Sequence, residues 1–243
     1  MPRARGTSSE LDGWWRLGLA VMGPAFGLSF RLEVRGAANI PHEGAAILAS
    51  NHRSVIDGVL LALVGARCGR ATRFLVAAEL FDLRLPGWAL RRYGQIPIRR
   101  ASQDFGALGA AVSSLRSGSL AGIFPEGRVN DEHAMLRGHT GVGRIALETG
   151  VPVIPLGLWG TQARWPRSGL RLRLRLPLRP RVVVEVGAPV HPSGRGGHAT
   201  SQDDVRAFTD EVMRAIQASA AQARSRVERE GRRGLFRGRR RWR

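Results

Sequence analysis

The sequence contains no lysine and only one cysteine, Cys68, among its 243 residues. A single cysteine excludes an intramolecular disulfide framework and any zinc site built from several cysteines. All 38 basic residues are arginine and stand against 19 acidic residues, so the formal net charge is +19. This excess predicts an anionic partner: a membrane surface, a phosphorylated substrate or a nucleic acid. Every basic residue is arginine, so the total reflects in part a general preference for that residue. Where the positive charge lies in the sequence is therefore more informative than the net charge.

A hydrophobic run long enough to cross a bilayer is also missing. The uncharged stretch over residues 17–30 has 14 residues, short of the roughly 20 that a spanning helix needs, and Pro24 interrupts it. Trp14, Trp15 and Arg16 precede it, and paired indoles beside a guanidinium suit a membrane interface. We therefore predict a helical segment lying at a membrane surface. A core helix whose aromatic side chains pack on a sheet is the alternative.

From residue 31 to about residue 190, short apolar runs alternate with helical segments. The pattern predicts strands over residues 45–50, 72–76, 95–98, 119–124, 151–158 and 179–186. It predicts helices over residues 58–64, 103–117, 141–149 and 205–227, with Gly150 as a C-terminal cap. We expect an α/β fold in one domain, with a mixed, largely parallel central sheet flanked by helices.

Arginine concentrates in two segments. Residues 171–176 alternate arginine and leucine, so in a strand the arginines would share one face. The C-terminal segment 224–243 holds ten arginines against Glu228 and Glu230. Both segments predict contact with anionic groups.

The sharpest local motif runs from Asn51 to Gly58 and contains His52 and Asp57. In one regular helix these two side chains would lie about 140° apart. They can meet if His52 lies in a loop after a strand and Asp57 lies in the first turn of a helix capped by Ser54. An imidazole backed by a carboxylate is the arrangement of an oriented general base. A plain capping box beside a solvent-facing histidine explains the same residues.

Three further blocks follow in order. They begin at Gly94, Phe124 and Val151 and read GQIPIRR, FPEGR and VPVIP. Together with the His52 motif, this ordered set resembles the glycerolipid acyltransferase family, whose best-known members are the 1-acylglycerol-3-phosphate acyltransferases. The resemblance covers roughly residues 33–190.

The resemblance implies a role for each block. His52 would remove the proton from an acceptor hydroxyl as that oxygen attacks an acyl thioester, and Asp57 would hold the imidazole and stabilise its cation. No enzyme nucleophile is required, because the acceptor attacks directly. The acceptor's phosphate end would be bound by the second and third blocks, at Arg100, Glu126, Gly127 and Arg128. Arginine suits phosphate through its bidentate donors, glycine permits close backbone approach, and Glu126 would accept from arginines or a glycerol hydroxyl.

Three positions depart from the family pattern and leave the acceptor's identity open. Ala77 stands where many members carry a lysine. Arg128 follows Gly127 directly, where the third block often has an intervening threonine. A later Arg-Gly-Lys pattern is Arg137-Gly-His139 here. A different lyso-lipid, an acylated amino-acid lipid or a glycolipid is therefore an alternative acceptor.

The sequence further predicts no metal and no cofactor, with acyl-CoA or acyl-carrier protein as the acyl donor. Its partners would be membrane lipids and an anionic lyso-lipid at the cytoplasmic face of the cell membrane. A non-catalytic protein that binds nucleic acid or another polyanion is the remote alternative. The predicted division is a mobile N-terminus (1–12), a membrane-interface helical segment (13–32), an acyltransferase domain (33–223) and an Arg-rich tail (224–243).

Overall fold

The computed structural model describes residues 11–99, 105–130, 132, 134–164, 179–192 and 201–239. The helices in these residues are α1 (Gly13–Ser29), α2 (Asp57–Arg67), α3 (Arg84–Arg92), α4 (Phe105–Arg116), α5 (Gly141–Thr149) and α6 (Gln202–Arg239). The strands are β1 (Arg31–Arg35), β2 (Ala46–Ser50), β3 (Thr72–Ala77), β4 (Ile96–Ile98), β5 (Leu120–Ile123), β6 (Val153–Trp159) and β7 (Arg181–Val186). Short 3₁₀ turns follow β1, β3 and β6.

The seven strands form one sheet in the order β1-β7-β6-β2-β5-β3-β4. Five strands, from β6 to β4, run parallel to their neighbours, and β7 pairs with β6 antiparallel. The edge strand β1 runs parallel to β7. The predicted mixed, largely parallel sheet is therefore confirmed. Because β5, β2 and β6 are parallel neighbours, their carboxyl ends meet at one edge of the sheet.

Strand β2 lies at the centre of the sheet, and all five of its residues are buried. Its side chains alternate between the two faces. Ile47 and Ala49 join one hydrophobic core, and Ala46 and Leu48 join the other. This burial on both faces explains why the strand reads as an unbroken apolar run.

Helices cover both faces of the sheet. The first core includes buried residues of α4, α5 and α6, and the second includes those of α1 and α2. Helix α5 ends at Gly150, whose φ of 71° is left-handed, as its predicted capping position requires. The helices thus hold the sheet from both sides and leave its carboxyl edge accessible.

Helix α6 packs closely on β6. A β-carbon placed at Gly157 would overlap the backbone of Ser219 and Ala220, so the strand and the helix meet through main-chain atoms. Further along α6, the guanidinium of Arg224 lies 5.1 Å from the ring centroid of Trp159, the last residue of β6. Helix α6 therefore runs along β6 toward the carboxyl edge of the parallel strands.

Two elements were not predicted. Strand β1 alternates charged residues with Leu32 and Val34, a period-two pattern that a short edge strand can show. Helix α3 contains Pro86 and Gly87, both poor helix formers. Pro86 lies in the first turn, where its missing N–H costs no intrahelical hydrogen bond.

Several boundaries also differ from those predicted. Pro24 lies inside α1 and does not end it, and the helix stops at Ser29, so the last residues of the 13–32 segment belong to β1. Helix α6 runs to Arg239, beyond the predicted end at residue 227, because arginine and glutamate favour a helix. The alternating segment 171–176 lies outside the described residues. Among those residues, no helix combines the length and the apolarity needed to span a bilayer.

The close approach of β6 and α6 predicts that Gly157→Ala destabilises the protein by about 2–3 kcal/mol, since the new methyl group must push backbone away from backbone. Chemical denaturation monitored by circular dichroism measures the loss. Gly109→Ala is the control, because Gly109 lies in α4 with open space around it, and it should be neutral or slightly stabilising. Equal stability of the two variants would contradict the packing described.

Candidate active site

The candidate site lies where β2, β5 and β6 end. His52 follows β2 by two residues, Glu126 follows β5 by three, and Thr161 follows β6 by two. In open α/β sheets the carboxyl edge is where ligands bind, because the loops from neighbouring parallel strands converge there. Residues that are far apart in sequence therefore meet at this edge.

His52 and Asp57 meet as their spacing predicts. His52 lies in the loop after β2 and Asp57 is the first residue of α2, and the His52 Nδ1 atom lies 3.1 Å from Asp57 Oδ2. A carboxylate accepts only, so Nδ1 carries the proton of the neutral imidazole and Nε2 keeps the lone pair. The His52 side chain is 14% exposed and that of Asp57 is fully buried. The pair thus presents a partly accessible Nε2 that can accept a proton.

The Asp57 carboxylate is held by donors from two segments. Its Oδ2 atom also accepts from the backbone N–H groups of Arg53, at 2.5 Å, and Ser54, at 2.7 Å. Its Oδ1 atom accepts from the hydroxyl of Thr161 at 2.7 Å. The amino end of α2 adds a field that favours negative charge. A buried carboxylate needs such partners, and here they make the loop and the helix start one rigid unit.

Ser54 was expected to be the N-cap residue, and the structure differs in one respect. Helix α2 begins at Asp57 with Ile56 in the cap position, because residues between Ser54 and Asp57 form a turn. Asp57 nevertheless reaches back to the Ser54 N–H, as the acidic residue of a capping box does. The motif is therefore a capping arrangement in which the same carboxylate also serves the histidine.

Two neighbours of His52 tie this loop to the adjacent strand ends. The Asn51 side chain bonds both backbone groups of Leu158 in β6, donating to the carbonyl at 2.9 Å and accepting from the N–H at 2.7 Å. The Arg53 guanidinium donates to the carbonyls of Asn130 and Glu132 and lies 4.3 Å from the ring centroid of Trp159. These contacts brace the loop on both sides of the histidine.

The His52 ring is also fixed by stacking. Its centroid lies 4.0 Å from that of Phe124, with 14° between the ring planes, and Phe124 in turn stacks with Phe74 at 5.5 Å. Stacking holds the imidazole plane while Asp57 holds one of its nitrogens. Together they leave the ring little rotational freedom.

Glu126 does not have the donors that we expected for it. It is buried, and its two oxygens accept from the backbone N–H groups of His52 at 3.0 Å and Leu136 at 3.0 Å and from the Asn130 side chain at 2.8 Å. These donors are backbone and amide groups rather than arginines, because the carboxylate points into the protein. Glu126 thus ties the loop after β5 to the loop that carries His52.

An exposed cleft of about 500 Å³ lies beside this buried carboxylate. Three side chains that can carry a positive charge line the cleft: Arg128, Arg137 and His139. Gly127 has a left-handed φ of 69°, and a β-carbon there would lie 2.9 Å from His139 Nε2, so glycine lets the two segments approach. Arg100 lies outside the described residues. The side chains of this cleft can bind an anion, and its Glu126 accepts from the His52 N–H. Arg137 and His139, which the sequence marked only as departures from the family pattern, line the cleft together with Arg128.

The sequence carried a weak signal for the contacts that were missed. Asn51 and Thr161 are polar residues beside the carboxyl ends of buried strands, a position common for functional side chains. What sequence could not supply is the pairing of β2 with β6, which places Thr161 beside Asp57 across 104 positions.

Comparisons with known proteins find similar sequences. An uncharacterized protein of Mycobacterium tuberculosis is 33% identical over 160 residues, which cover 60% of this chain and 42% of that protein. A chloroplastic 1-acyl-sn-glycerol-3-phosphate acyltransferase of Arabidopsis thaliana is 28% identical over 136 residues, which cover 54% of this chain and 37% of that enzyme. The chain thus spans less than half the length of these two relatives.

A solved structure and a family model extend the comparison. The structure of PlsC from Thermotoga maritima, a 1-acyl-sn-glycerophosphate (LPA) acyltransferase, superposes with a TM-score of 0.66 at 26% identity, covering 86% of this chain and 78% of that one. The family model described as Acyltransferase matches residues 31–159, more than half of the chain, including the His52 loop and the Glu126 loop. The chain therefore belongs to the acyltransferase family.

Proposed function

We propose that this protein transfers a fatty acyl chain from an acyl thioester to the free hydroxyl of a lyso-lipid, with 1-acylglycerol-3-phosphate as the leading acceptor. The observation that carries the proposal is the hydrogen bond from His52 Nδ1 to the buried Asp57, which leaves Nε2 as the base. The donor is acyl-CoA or acyl-carrier protein, and the residues of the site need no cofactor for this chemistry.

The geometry of the His52–Asp57 pair supports the following reaction. The acceptor oxygen attacks the thioester carbonyl carbon while its proton passes to His52 Nε2, and Asp57 stabilises the resulting imidazolium. Collapse of the tetrahedral intermediate breaks the carbon–sulfur bond. The thiolate leaves and takes up the proton from the His52 imidazolium, so that the imidazole is neutral again. The products are an ester and a free thiol.

The cleft beside Glu126 supports an anionic acceptor. Arg128, Arg137 and His139 surround the cleft beside Glu126, and the Glu126 carboxylate is bound to the His52 backbone. A phosphate in the cleft would therefore lie beside the loop that carries the His52 base. Guanidinium groups suit this role because they pair with phosphate through two parallel hydrogen bonds.

An exposed apolar surface on α1 and α3 supports a lipid acceptor. Leu17, Val21 and Leu28 share one face of α1 and are exposed, Leu28 by 75%, and Leu85 of α3 is exposed by 79%. Trp14 of α1 packs edge-to-face on Trp88 of α3 with 5.6 Å between their centroids, which joins the two apolar faces.

Arginines border this surface. Arg84, Arg91 and Arg92 line a groove on α3, and the guanidinium of Arg92 lies 4.8 Å from the ring centroid of Trp14. Exposed apolar side chains, indoles and guanidinium groups together favour binding to anionic phospholipid headgroups, with the helices lying in the plane of the membrane. We place the protein on such a surface, at the cytoplasmic face.

The catalytic proposal predicts that His52→Ala lowers acyl transfer by about 10²- to 10⁴-fold, and that Asp57→Asn also lowers it strongly, because the amide cannot stabilise the imidazolium. Transfer of labelled acyl chains to a panel of lyso-lipids measures the loss. His42→Ala is the control, because His42 is exposed and precedes β2 at the opposite edge of the sheet. Normal transfer by folded His52→Ala would rule the proposal out.

The acceptor's charge is tested at the cleft. We expect Arg128→Gln and Arg137→Gln each to raise KM for an anionic lyso-lipid about 10-fold with little change in kcat, because each removes a charge-assisted contact. Arg116→Gln is the control, since Arg116 lies on α4 and faces Glu148 at 3.8 Å. An unchanged KM in both cleft variants would favour the alternative of a different lyso-lipid or a glycolipid acceptor held without this cleft.

The proposed membrane contact of the exposed apolar surface on α1 and α3 is tested with two double variants that add the same charge. Leu17→Glu with Val21→Glu should reduce sedimentation with anionic phospholipid vesicles at least about 10-fold, because two carboxylates replace apolar area that would enter the membrane and repel the headgroups. Gln217→Glu with Gln222→Glu adds the same charge to exposed positions on α6 and should leave binding nearly unchanged. Equal vesicle binding by the two double variants would remove α1 from the interface.

A further inference from the structure

Thr161 lies beside the catalytic pair although none of the four sequence blocks contains it. It follows β6 and opens the 3₁₀ turn Thr161–Ala163, and its hydroxyl donates to Asp57 Oδ1 at 2.7 Å. Both residues are fully buried. A carboxylate cannot donate, so the direction of this hydrogen bond is fixed.

The position of Thr161 is set by the end of β6. Gly160 has a φ of 112°, and a β-carbon there would overlap the carbonyl oxygen of Arg181. Its N–H group donates to the side chain of Gln162 at 2.9 Å. Trp159 is in contact with Arg53, the residue after the catalytic histidine. These contacts fix the turn after β6 and hold the Thr161 hydroxyl beside Asp57.

The two oxygens of Asp57 have different partners. Oδ2 accepts from the His52 imidazole and from two backbone N–H groups, and Oδ1 accepts from Thr161. Donors on both oxygens define the plane of the carboxylate, and the plane decides whether Oδ2 stays in line with His52 Nδ1. Loss of the donor on Oδ1 would leave a buried lone pair unsatisfied and would allow the group to rotate.

We propose that Thr161 is a positioning residue, which orients the Asp57 carboxylate and through it keeps the proton of neutral His52 on Nδ1. This inference rests on the proposed function, because His52 Nε2 acts as a base only in that tautomer. The arrangement extends the catalytic pair to a chain of three side chains: hydroxyl, carboxylate and imidazole. Thr161 does not contact the reacting atoms in this scheme.

The first test compares Thr161→Val with Thr209→Val by acyl-transfer kinetics. Thr209 is a matched control, since it is also fully buried and its hydroxyl also donates at 2.7 Å, but to the Val205 carbonyl within α6. We expect Thr161→Val to lower kcat about 10- to 100-fold while KM stays within about twofold, because substrate contacts are untouched and a hydrogen bond to a charged group is lost. Thr209→Val should keep kcat within about twofold of the wild type.

The second test observes the imidazole directly and needs no activity. In nitrogen-15 spectra of the histidine-labelled full chain, wild-type His52 should show a protonated Nδ1 and an unprotonated Nε2, assigned by the absence of these signals in His52→Ala. In Thr161→Val the Nδ1 proton should exchange faster with water, with a mixture of tautomers. Thr161→Ser should restore both the spectrum and kcat, because serine keeps the hydroxyl donor.

Each outcome decides the proposal. A Thr161→Val protein with wild-type kcat and an unchanged His52 spectrum would overturn it, and so would equal losses of kcat in Thr161→Val and Thr209→Val. If Thr161→Val does not fold, Thr161→Ser and Thr161→Cys replace it, because cysteine is a much weaker donor of similar size. Equal kcat and equal spectra in that pair would then overturn the proposal. A chain without acyl transfer whose His52 tautomer still depends on Thr161 would refute the proposed function but not the positioning role.

Discussion

The site depends on one buried charge. Asp57 is fully removed from solvent, and a carboxylate in that position is stable only if donors surround it. Here the donors are a histidine ring, two backbone N–H groups and a threonine hydroxyl. Satisfying this one group therefore sets the path of the loop after β2, the start of α2 and the turn after β6.

A second buried carboxylate, that of Glu126, fixes the position of the loop after β5. Glu126 accepts from the His52 N–H and from two partners in its own loop, so the loop after β5 cannot move independently of the histidine. The two carboxylates thus hold different parts of His52. Asp57 orients the His52 imidazole, and Glu126 holds the His52 backbone beside the cleft that Arg128 and Arg137 line.

The parts of this structure that follow from local chemistry were predictable from sequence. The apolar runs predicted six strands of the sheet, and the spacing of His52 and Asp57 predicted that they could meet across a loop and a helix start. Strand β1 was missed because an edge strand with alternating charges resembles a polar linker, and α3 because Pro86 and Gly87 mask its helical pattern.

The parts that depend on strand order were not predictable. No local pattern shows that β6 pairs with β2, so neither the contact of Thr161 with Asp57 nor the contact of Asn51 with Leu158 could be read from the chain. For Glu126, the family resemblance implied a carboxylate that accepts from arginines or a glycerol hydroxyl. The structure shows instead a buried carboxylate bonded to backbone, a role that only the converging loops reveal.

The proposed function requires that the acyl group of a thioester ends on a lipid hydroxyl at the His52–Asp57 pair. To test this, the full chain is incubated with 1-acylglycerol-3-phosphate in anionic vesicles and with acyl-CoA or acyl-carrier protein that carries a labelled acyl chain. Free thiol and labelled products are then measured in the same samples. We predict one equivalent of diacylated lipid for each thiol released. Thiol released with free fatty acid and no acylated lipid, or no thiol release with either donor and any lyso-lipid of the panel, would contradict the claim.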